Sequence, residues 1–511
     1  MKPTGRFLLY LLMIFILTGP LYSASSNFLP VASIPVGISP RGLAVGNVFG
    51  NGVKSFIVAN FGSPTFIGQN TPATLLNPKN SSLQVFSSSP NGLKLVETIQ
   101  TASSPRGISL FDLLNKGSQD ILVTCYDANL LQVYSWANGQ FIKTNEESTL
   151  NMPVGVATGL TSSKGVPFVA VADYGSNSLS LFQIKEGKLD KKIDIPVAGG
   201  PTQVAIGDLD GDGISEIAVA CLTDHQIEIL SLKSVGKKDD LSSYSLKKSL
   251  VLPEGSAPAD LRIADLNSDG RADLVAADFT KNTVLIYLQQ ADGSLAAQPP
   301  LPTSGSHPNG LTVADINGDG GKEIVVANRD SDSIDLIQWT GSQFQLVNTL
   351  KVAIDSDSSF GPVEVGVLDT TGQGKSDLVL SHMRSNSIRV LAQVSVPSTS
   401  GPLMAKLFSP NGFDTPFSEK TTFCYPNPTH DGKVKFSFNL NSPSDVLLQV
   451  FDVRGESVWS QRINASQTQN GVNAINWDGT NQNGENLASG MYVYRVTVND
   501  KTITKKVAII H

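Results

Sequence analysis

At 511 residues the chain exceeds one ordinary domain unless it is built from repeats, and 40% hydrophobic residues suffice for a core. Only 16% of residues are charged, whereas 45 glycines and 28 prolines point to short strands with frequent turns. A formal net charge of −7 with no run of Lys or Arg speaks against a nucleic-acid-binding surface.

The first element in chain order reads as an export signal spanning residues 1–25. Lys2 and Arg6 give a positive start, "FLLYLLMIFILTG" (Phe7–Gly19) an apolar stretch, and "SASS" (Ser23–Ser26) a cleavage site after Ser25. The apolar stretch is short of the roughly 20 residues needed to span a bilayer. No other run is long enough, so no membrane span is expected after cleavage.

From residue 27 the sequence repeats. Pro40, Pro105, Pro153, Pro201, Pro258, Pro308 and Pro362 set a common register. Three residues after each stands an apolar residue: Leu43, Ile108, Val156, Val204, Leu261, Leu311 and Val365. Twelve after each stands glycine: Gly52, Gly117, Gly165, Gly213, Gly270, Gly320 and Gly374. Sixteen after each the residue is apolar again, from Phe56 in the first unit to Leu378 in the last. Glycine in every copy implies a turn through positive φ, which only Gly enters without strain. Proline spacings of 65, 48, 48, 57, 50 and 54 residues suit a four-stranded unit with variable outer loops.

Strand A is the run before the glycine loop, such as "QVAIGD", and strand B the run after it, such as "EIAVAC". Strand C opens on Asn or Asp, as in "NSLSLF" from Asn177 and "DSIDLI" from Asp332, and strand D often follows a glycine turn. The seventh unit stops after strand C near Val396, while "FLPVASIPVGISP" (Phe28–Pro40) has the form of a strand D followed by the usual proline. Phe28–Val36 is therefore expected to complete the sheet that holds Ser387–Val394, leaving no open edge. Cys125 and Cys221 fall at one repeat position in non-adjacent units, so they and Cys424 read as unpaired thiols.

The loops "DLDGDGISEI", "DLNSDGRADL" and "DINGDGGKEI" share the pattern D-x-[DN]-x-D-G-x-x-[DE]-[LI] between two strands. They resemble the FG-GAP/VCBS repeat, and the resemblance implies an integrin-alpha-like seven-bladed β-propeller over residues 27–396. The first loop is no EF-hand: counted from Asp208 the twelfth position is Val219, and the acid sits at the ninth, Glu216.

Acids at alternate positions of a tight loop turn oxygens inward, the seventh position offers a backbone carbonyl, and the ninth adds a carboxylate from strand B. The fourth blade offers Asp208, Asp210, Asp212, the carbonyl of Ile214, and Glu216. The fifth offers Asp265, Asn267, Asp269, the carbonyl of Arg271, and Asp273. The sixth offers Asp315, Asn317, Asp319, the carbonyl of Gly321, and Glu323. Carboxylates about 5 Å apart repel by about 3 kcal/mol per pair at an effective dielectric of 20. Calcium, which accepts irregular oxygen loops, would remove that cost. Three Ca²⁺ ions are expected, one in each of these blades. The first three loops lack the ligand set; the seventh keeps only Asp369 and Asp377. Lys116 and Lys164 stand at the central ligand position of the second and third loops, in place of the ion's charge.

Residues 397–424, rich in Ser, Pro and Thr, read as a linker. Residues 425–511 read as a small β-sandwich with strands "KVKFSFNL", "DVLLQVFD", "ESVWSQRI", "GVNAINWDG", "GMYVYRVTV" and "TITKKVAII". "YPNP", "VFDVRGESV", "WDGTNQNGENLASGMYVYRV" and "KKVAIIH" resemble the FlgD-type Ig-like domain and the C-terminal sorting domain of type IX secretion. The fold class expected is all-β: a seven-bladed propeller followed by an Ig-like sandwich.

His225, His307, His382, His430 and His511 form no HExxH-like spacing, and no G-x-S-x-G or P-loop occurs, so no catalysis is expected. Twenty residues after the prolines, Asn60, Asp173, Asp278, Asn328 and His382 are expected to ring the channel opposite the metal loops, near Arg41, Arg106, His307 and Asn309. The expected role is an exported calcium-binding module, for binding, adhesion or structure, secreted or at a bacterial cell surface. Its expected partners are a surface protein or a glycan, with the export machinery acting through the C-terminal domain. The alternatives are a lectin-like module and a polysaccharide lyase or dehydratase on the same propeller.

Overall fold

The computed structural model describes residues 27–62, 80–88, 93–162, 164–232, 240–352, 361–370, 374–383, 385–394, 422–425, 429, 433–440, 442–468, 471–499 and 501–509. The signal expected at 1–25, most of the linker expected at 397–424 and part of "YPNP" lie outside them. The chain divides into two compact units, Met1–Val396 and Pro397–His511. No helix among the described residues is long and apolar enough to cross a membrane.

Strand B anchors each sheet of the first unit. Ser55–Asn60, Asp120–Cys125, Glu216–Cys221, Asp273–Asp278, Glu323–Asn328 and Asp377–His382 are buried along their whole length. A strand covered on both faces reads as a continuous apolar run, which is why alternation is absent from these segments. Each sheet is an antiparallel meander in the order A-B-C-D. In the fourth the strands are Pro201–Gly207, Glu216–Cys221, Gln226–Leu232 and Tyr244–Val251. The fifth splits strand D into Leu295–Ala297 and Leu301–Pro302, both paired with strand C. The seventh holds Pro362–Leu368, Asp377–His382 and Ser387–Val394, and its fourth strand is Asn27–Pro35 from the start of the unit.

Buried apolar clusters lie between consecutive sheets. Leu122 and Val133 of the second meet Val169 and Phe182 of the third. Leu368, Val379 and Ile388 of the seventh meet Phe56, Val58 and Phe86 of the first, which closes the ring. The unit is a seven-bladed β-propeller.

Side chains at the turn into strand C join one blade to the next. Asn129, Asn177, Asn282 and Asn386 adopt φ between 48° and 55°, a region Asn tolerates. Their Oδ1 atoms accept the backbone N–H of Met152, Gly200, His307 and Ser39 at 2.7–2.9 Å, each on the following blade. The last of these ties the seventh blade to the first.

Two glycine columns have different causes. Six of the loop glycines have φ between 75° and 90°, but Gly165 does not. A Cβ there would lie 2.0 Å from Thr161 Oγ1, so close approach, not a positive-φ turn, demands Gly in the third blade. The single-turn explanation is corrected to that extent. At the ring's centre a Cβ on Gly42 would fall 1.9 Å from the Arg106 carbonyl oxygen, because neighbouring strands A meet backbone to backbone. Gly42→Ala is expected to destabilise the propeller by at least about 1–3 kcal/mol, the usual cost of overpacking. A lower urea midpoint at unchanged slope would show it; an unchanged midpoint would refute the contact.

The second unit packs two sheets. One is Phe423–Tyr425, Val434–Leu440 and Gly471–Trp477; the other is Ser457–Ile463, Val446–Phe451, Gly490–Val498 and Lys501–Ile509. Alternate residues Val434, Phe436, Phe438 and Leu440 face Val446, Leu448, Val450 and Tyr494 in one core, the pattern of a β-sandwich. None of the three cysteines forms a disulfide.

Candidate metal loops and the channel mouth

The loops between strands A and B share a hydrogen-bonded frame that the sequence pattern does not reveal. The acid at position one accepts the N–H of the loop glycine, through Asp208, Asp265 and Asp315 at 2.9–3.0 Å. The buried acid at position nine accepts the N–H of position two: Glu216 from Leu209, Asp273 from Leu266 and Glu323 from Ile316, at 2.8–3.0 Å. The same two contacts occur in the second blade through Asp112 and Asp120, and in the seventh through Asp369 and Asp377. Positions one and nine therefore serve the backbone even where the ligand set is incomplete.

The structure gathers the expected ligands unequally. Carboxylate oxygens of Asp208, Asp210 and Glu216 come within 4.8 Å of one another, and no other such acid group occurs among the described residues. Asp212 Oδ1 accepts the N–H of Ile214 at 2.8 Å, and the Ile214 side chain is nearly buried where its loop pairs with Ser162 of the third blade. In the fifth blade the Arg271 guanidinium pairs with Asp269, and its Nε donates to the Gln289 carbonyl at 2.9 Å. Asn267 Nδ2 donates to Asp269 at 2.9 Å. In the sixth, Asn317 Nδ2 donates to Asp319 and Glu323 at 2.9 and 2.8 Å, and Gly321 N–H to Asp319 at 2.8 Å.

Besides Arg271 in the fifth blade, lysines enter two of the acidic loops. Lys116 Nζ lies 2.6 Å from Asp120 in the second blade, in the role its sequence position suggests. Lys247, from strand D of the fourth blade, pairs with Asp210 and lies 3.4 Å from Glu216. Burial pushes the carboxyls of Glu216 and Glu323 up to about 7 and that of Asp273 to about 6; the backbone N–H bonds oppose this, and the loop aspartates add to it. The donors are carboxylates and amide oxygens, so their chemistry fits a hard cation, best in the fourth blade.

On the opposite face, the residues expected to ring the channel do not. Asn60, Asp173, Asp278, Asn328 and His382 are 0–2% exposed. Asp278 accepts the Ala257 N–H at 2.9 Å, Asp173 the Ser180 hydroxyl at 2.6 Å, and Asn328 donates to Ser333 at 3.2 Å. They pin the turns that end strand B. The half-buried residues that follow them, including Tyr126, Tyr174, Phe279 and Arg329, stand at the mouth, and Phe61 lies buried beneath Arg41.

Inside the channel a polar network replaces three of the inner glycines. Asp260 accepts from Gln203 Nε2 at 3.1 Å and from the Leu311 N–H of the sixth blade at 2.8 Å, and it pairs with Arg262. Arg262 also lies 3.8 Å from Glu364 of the seventh blade. Burial, then the Asp260 charge, pushes the Glu364 carboxyl up to about 8, against the pull of Arg262 and Arg106. Asp260 holds the closer contact to Arg262, so Glu364 is the acid that keeps its proton. Folded protein then retains a proton that unfolded chain releases above the ordinary Glu range near pH 4.3. Stability from this group falls as pH rises from there to about 8. Glu364→Gln is expected to flatten the fall, read as urea midpoints at pH 5 and pH 8.

Family comparisons agree with this architecture. Residues 265–326 match the FG-GAP-like repeat and residues 426–502 the FlgD Ig-like domain. No curated protein matches the chain. Among solved structures, BBS1N in complex with ARL6DN is 13% identical over 72% of this chain and 98% of that one, with a TM-score of 0.50. The periplasmic gluconolactonase PpgL of Pseudomonas aeruginosa is 15% identical over 65% and 100%, with a TM-score of 0.44. A protein described as a 6-phosphogluconolactonase from Bacteroides uniformis is 14% identical over 59% and 83%, with a TM-score of 0.45. The expectation that catalysis is absent is corrected here: similar propellers include proteins named as enzymes, so missing motifs do not exclude activity. At such identities the likeness reaches the fold alone and gives this chain no substrate.

Proposed function

We propose that the chain is an exported β-propeller, stapled by calcium at its A–B loops, that presents its opposite face to a ligand at or beyond the cell surface. The convergence of Asp208, Asp210 and Glu216 within 4.8 Å carries the metal half of this reading. Asp208, Asp210, Asp212 and Glu216 would hold the fourth-blade ion, with the Ile214 carbonyl. Asp265, Asn267, Asp269 and Asp273 would serve the fifth, and Asp315, Asn317, Asp319 and Glu323 the sixth. The ion supplies positive charge among acids that otherwise repel, and so joins strand A to strand B. Arg271 and the two asparagines occupy the acids of the fifth and sixth loops, so those sites are the weaker. The export signal at residues 1–25 and the FlgD-like C-terminal domain support passage across the cell envelope, with type IX sorting as the specific route. The partner is a glycan or a surface protein.

Calcium titration followed by thermal melting tests the metal. Binding only to the folded state adds about 2.7 kcal/mol at one hundred times Kd, so the melting midpoint should climb with calcium and fall back with chelator. Lys247→Gln removes the competing ammonium and should tighten the fourth-blade site several-fold. A midpoint indifferent to calcium and chelator would end the proposal.

A further inference from the structure

Two arginines at the channel mouth, Arg41 and Arg106, make no salt bridge among the described residues; the acids that act on them, Asp127 and Glu364, do so only at longer range. Arg41 and Arg106 follow the register prolines of the first and second blades, where one extra residue interrupts the ladder between strands A and B. Such bulges re-aim side chains. Arg41 lies over Phe61 with its guanidinium carbon 4.4 Å from the ring centre, and Arg106 over Tyr126 at 5.3 Å. The two rings are themselves 6.0 Å apart, so Arg41, Phe61, Tyr126 and Arg106 form one continuous cluster across two blades. Stacking on a ring fixes the plane of a guanidinium and leaves its N–H edge free for a planar anion.

Neither arginine has an ion-pair partner among the described residues, and Arg41 Nε is buried without any hydrogen-bond acceptor. Another arginine at the mouth differs: Arg329, which stands in the sixth blade where Phe61 and Tyr126 stand in the first two, lies over Phe279 at 4.5 Å and donates to Asp330 at 2.8 Å. Burial and the nearby Arg106 lower the Arg41 guanidinium to about 9, a departure that an arriving anion would reverse. Tyr126 is also a wall of a cleft of about 230 Å³ between the second and third blades, lined further by Asp127, Asn129, Asn151 and Met152. The cleft thus offers an aromatic face and amide groups beside two arginines without salt bridges, with one carboxylate, Asp127, that already accepts the Ser104 hydroxyl. An arginine fork takes a carboxylate, and the Tyr126 ring with the Asn129 and Asn151 amides suits a sugar ring and its hydroxyls, so together they suit an acidic sugar.

We propose that the channel mouth binds an acidic saccharide, with its carboxylate between Arg41 and Arg106 and its sugar ring against Tyr126 in the adjoining cleft. This rests on the reading above that the face opposite the metal loops is the ligand face, and it names the ligand class. Titration calorimetry on the full chain in calcium, with tetragalacturonate, neutral galactotetraose and inorganic phosphate as probes, tests it. Tetragalacturonate should bind at least tenfold more tightly than galactotetraose, and Arg41→Gln and Arg106→Gln should each cost at least tenfold. Because the arginines repel each other, both variants should melt without ligand no lower than wild type. Equal binding of the neutral tetrasaccharide would overturn the acidic-sugar assignment while leaving the ligand face standing. Phosphate as the sole binder, no binding of any probe, or variants that bind like wild type would overturn it as well. Variants that melt several degrees lower, in a protein that ignores tetragalacturonate, would make the arginines structural.

Discussion

Removing residues 27–37 is expected to abolish cooperative unfolding of the propeller. Eight residues of Asn27–Pro35 pair with Ser387–Val394, and Phe28 sits in the core between the sixth and seventh blades. Losing a buried phenylalanine alone costs about 3–5 kcal/mol, against a typical domain stability of about 5–15 kcal/mol. The deletion also uncovers strand C of the seventh blade as a new edge, which favours aggregation. It removes the Gly37 N–H bond to Gln84 at 2.8 Å and the Val36 N–H bond to the Asn386 carbonyl at 2.8 Å, two further ties between first and last blades. Calorimetry of the truncated chain reads the result directly. An unchanged sharp transition would mean that the cluster of Leu368, Val379, Phe56 and Val58 closes the ring unaided.

The second large effect is expected at Asp260. This acid is 2% exposed, accepts N–H groups from Leu261 and Leu311 at 2.8 Å, and neutralises Arg262. Asp260→Ala strands a guanidinium in the channel with Glu364 as its one remaining acid in reach, and leaves two buried N–H groups without an acceptor. Breaking a buried pair in this way costs about 3–5 kcal/mol. Asp260→Asn keeps one acceptor oxygen but turns the other into a donor and loses the charge, so it should fall between wild type and the alanine variant. The same midpoint for all three proteins would show that the channel network adds nothing to the ring.

The two variants probe different links between residue and fold, and they differ in what a reader of the sequence sees. The seven units, their strands and the unpaired seventh sheet follow from local patterns, because burial on both faces of strand B forces an unbroken apolar run in every copy. The sandwich strands are equally plain, since Val434, Phe436, Phe438 and Leu440 alternate with outward residues. The Asp-rich loops could also be picked out, although the backbone contacts of Glu216, Asp273 and Glu323 could not. A carboxylate's partner depends on where the next turn lies, and "D-G-x-x-E" is the same string whether the acid meets a cation or an N–H group.

Four features were decided only by the folded structure. Asp260, Arg262, Gln203 and Glu364 come from three blades and share nothing in sequence but the second and fourth positions after a proline. Lys247 reaches Asp210 from a strand 37 residues away. The five polar residues at the end of strand B point into their own turns, so the channel mouth passes to the residue that follows. Gly165 keeps the column's identity for a different steric reason from its six counterparts. The sequence by itself determined the number of blades, their strands and the closing strand, because these depend on periodic burial along the chain. The ring alone decided which charges find partners, because it brings side chains of different blades to one axis, and there Arg41 and Arg106 are left without a salt bridge.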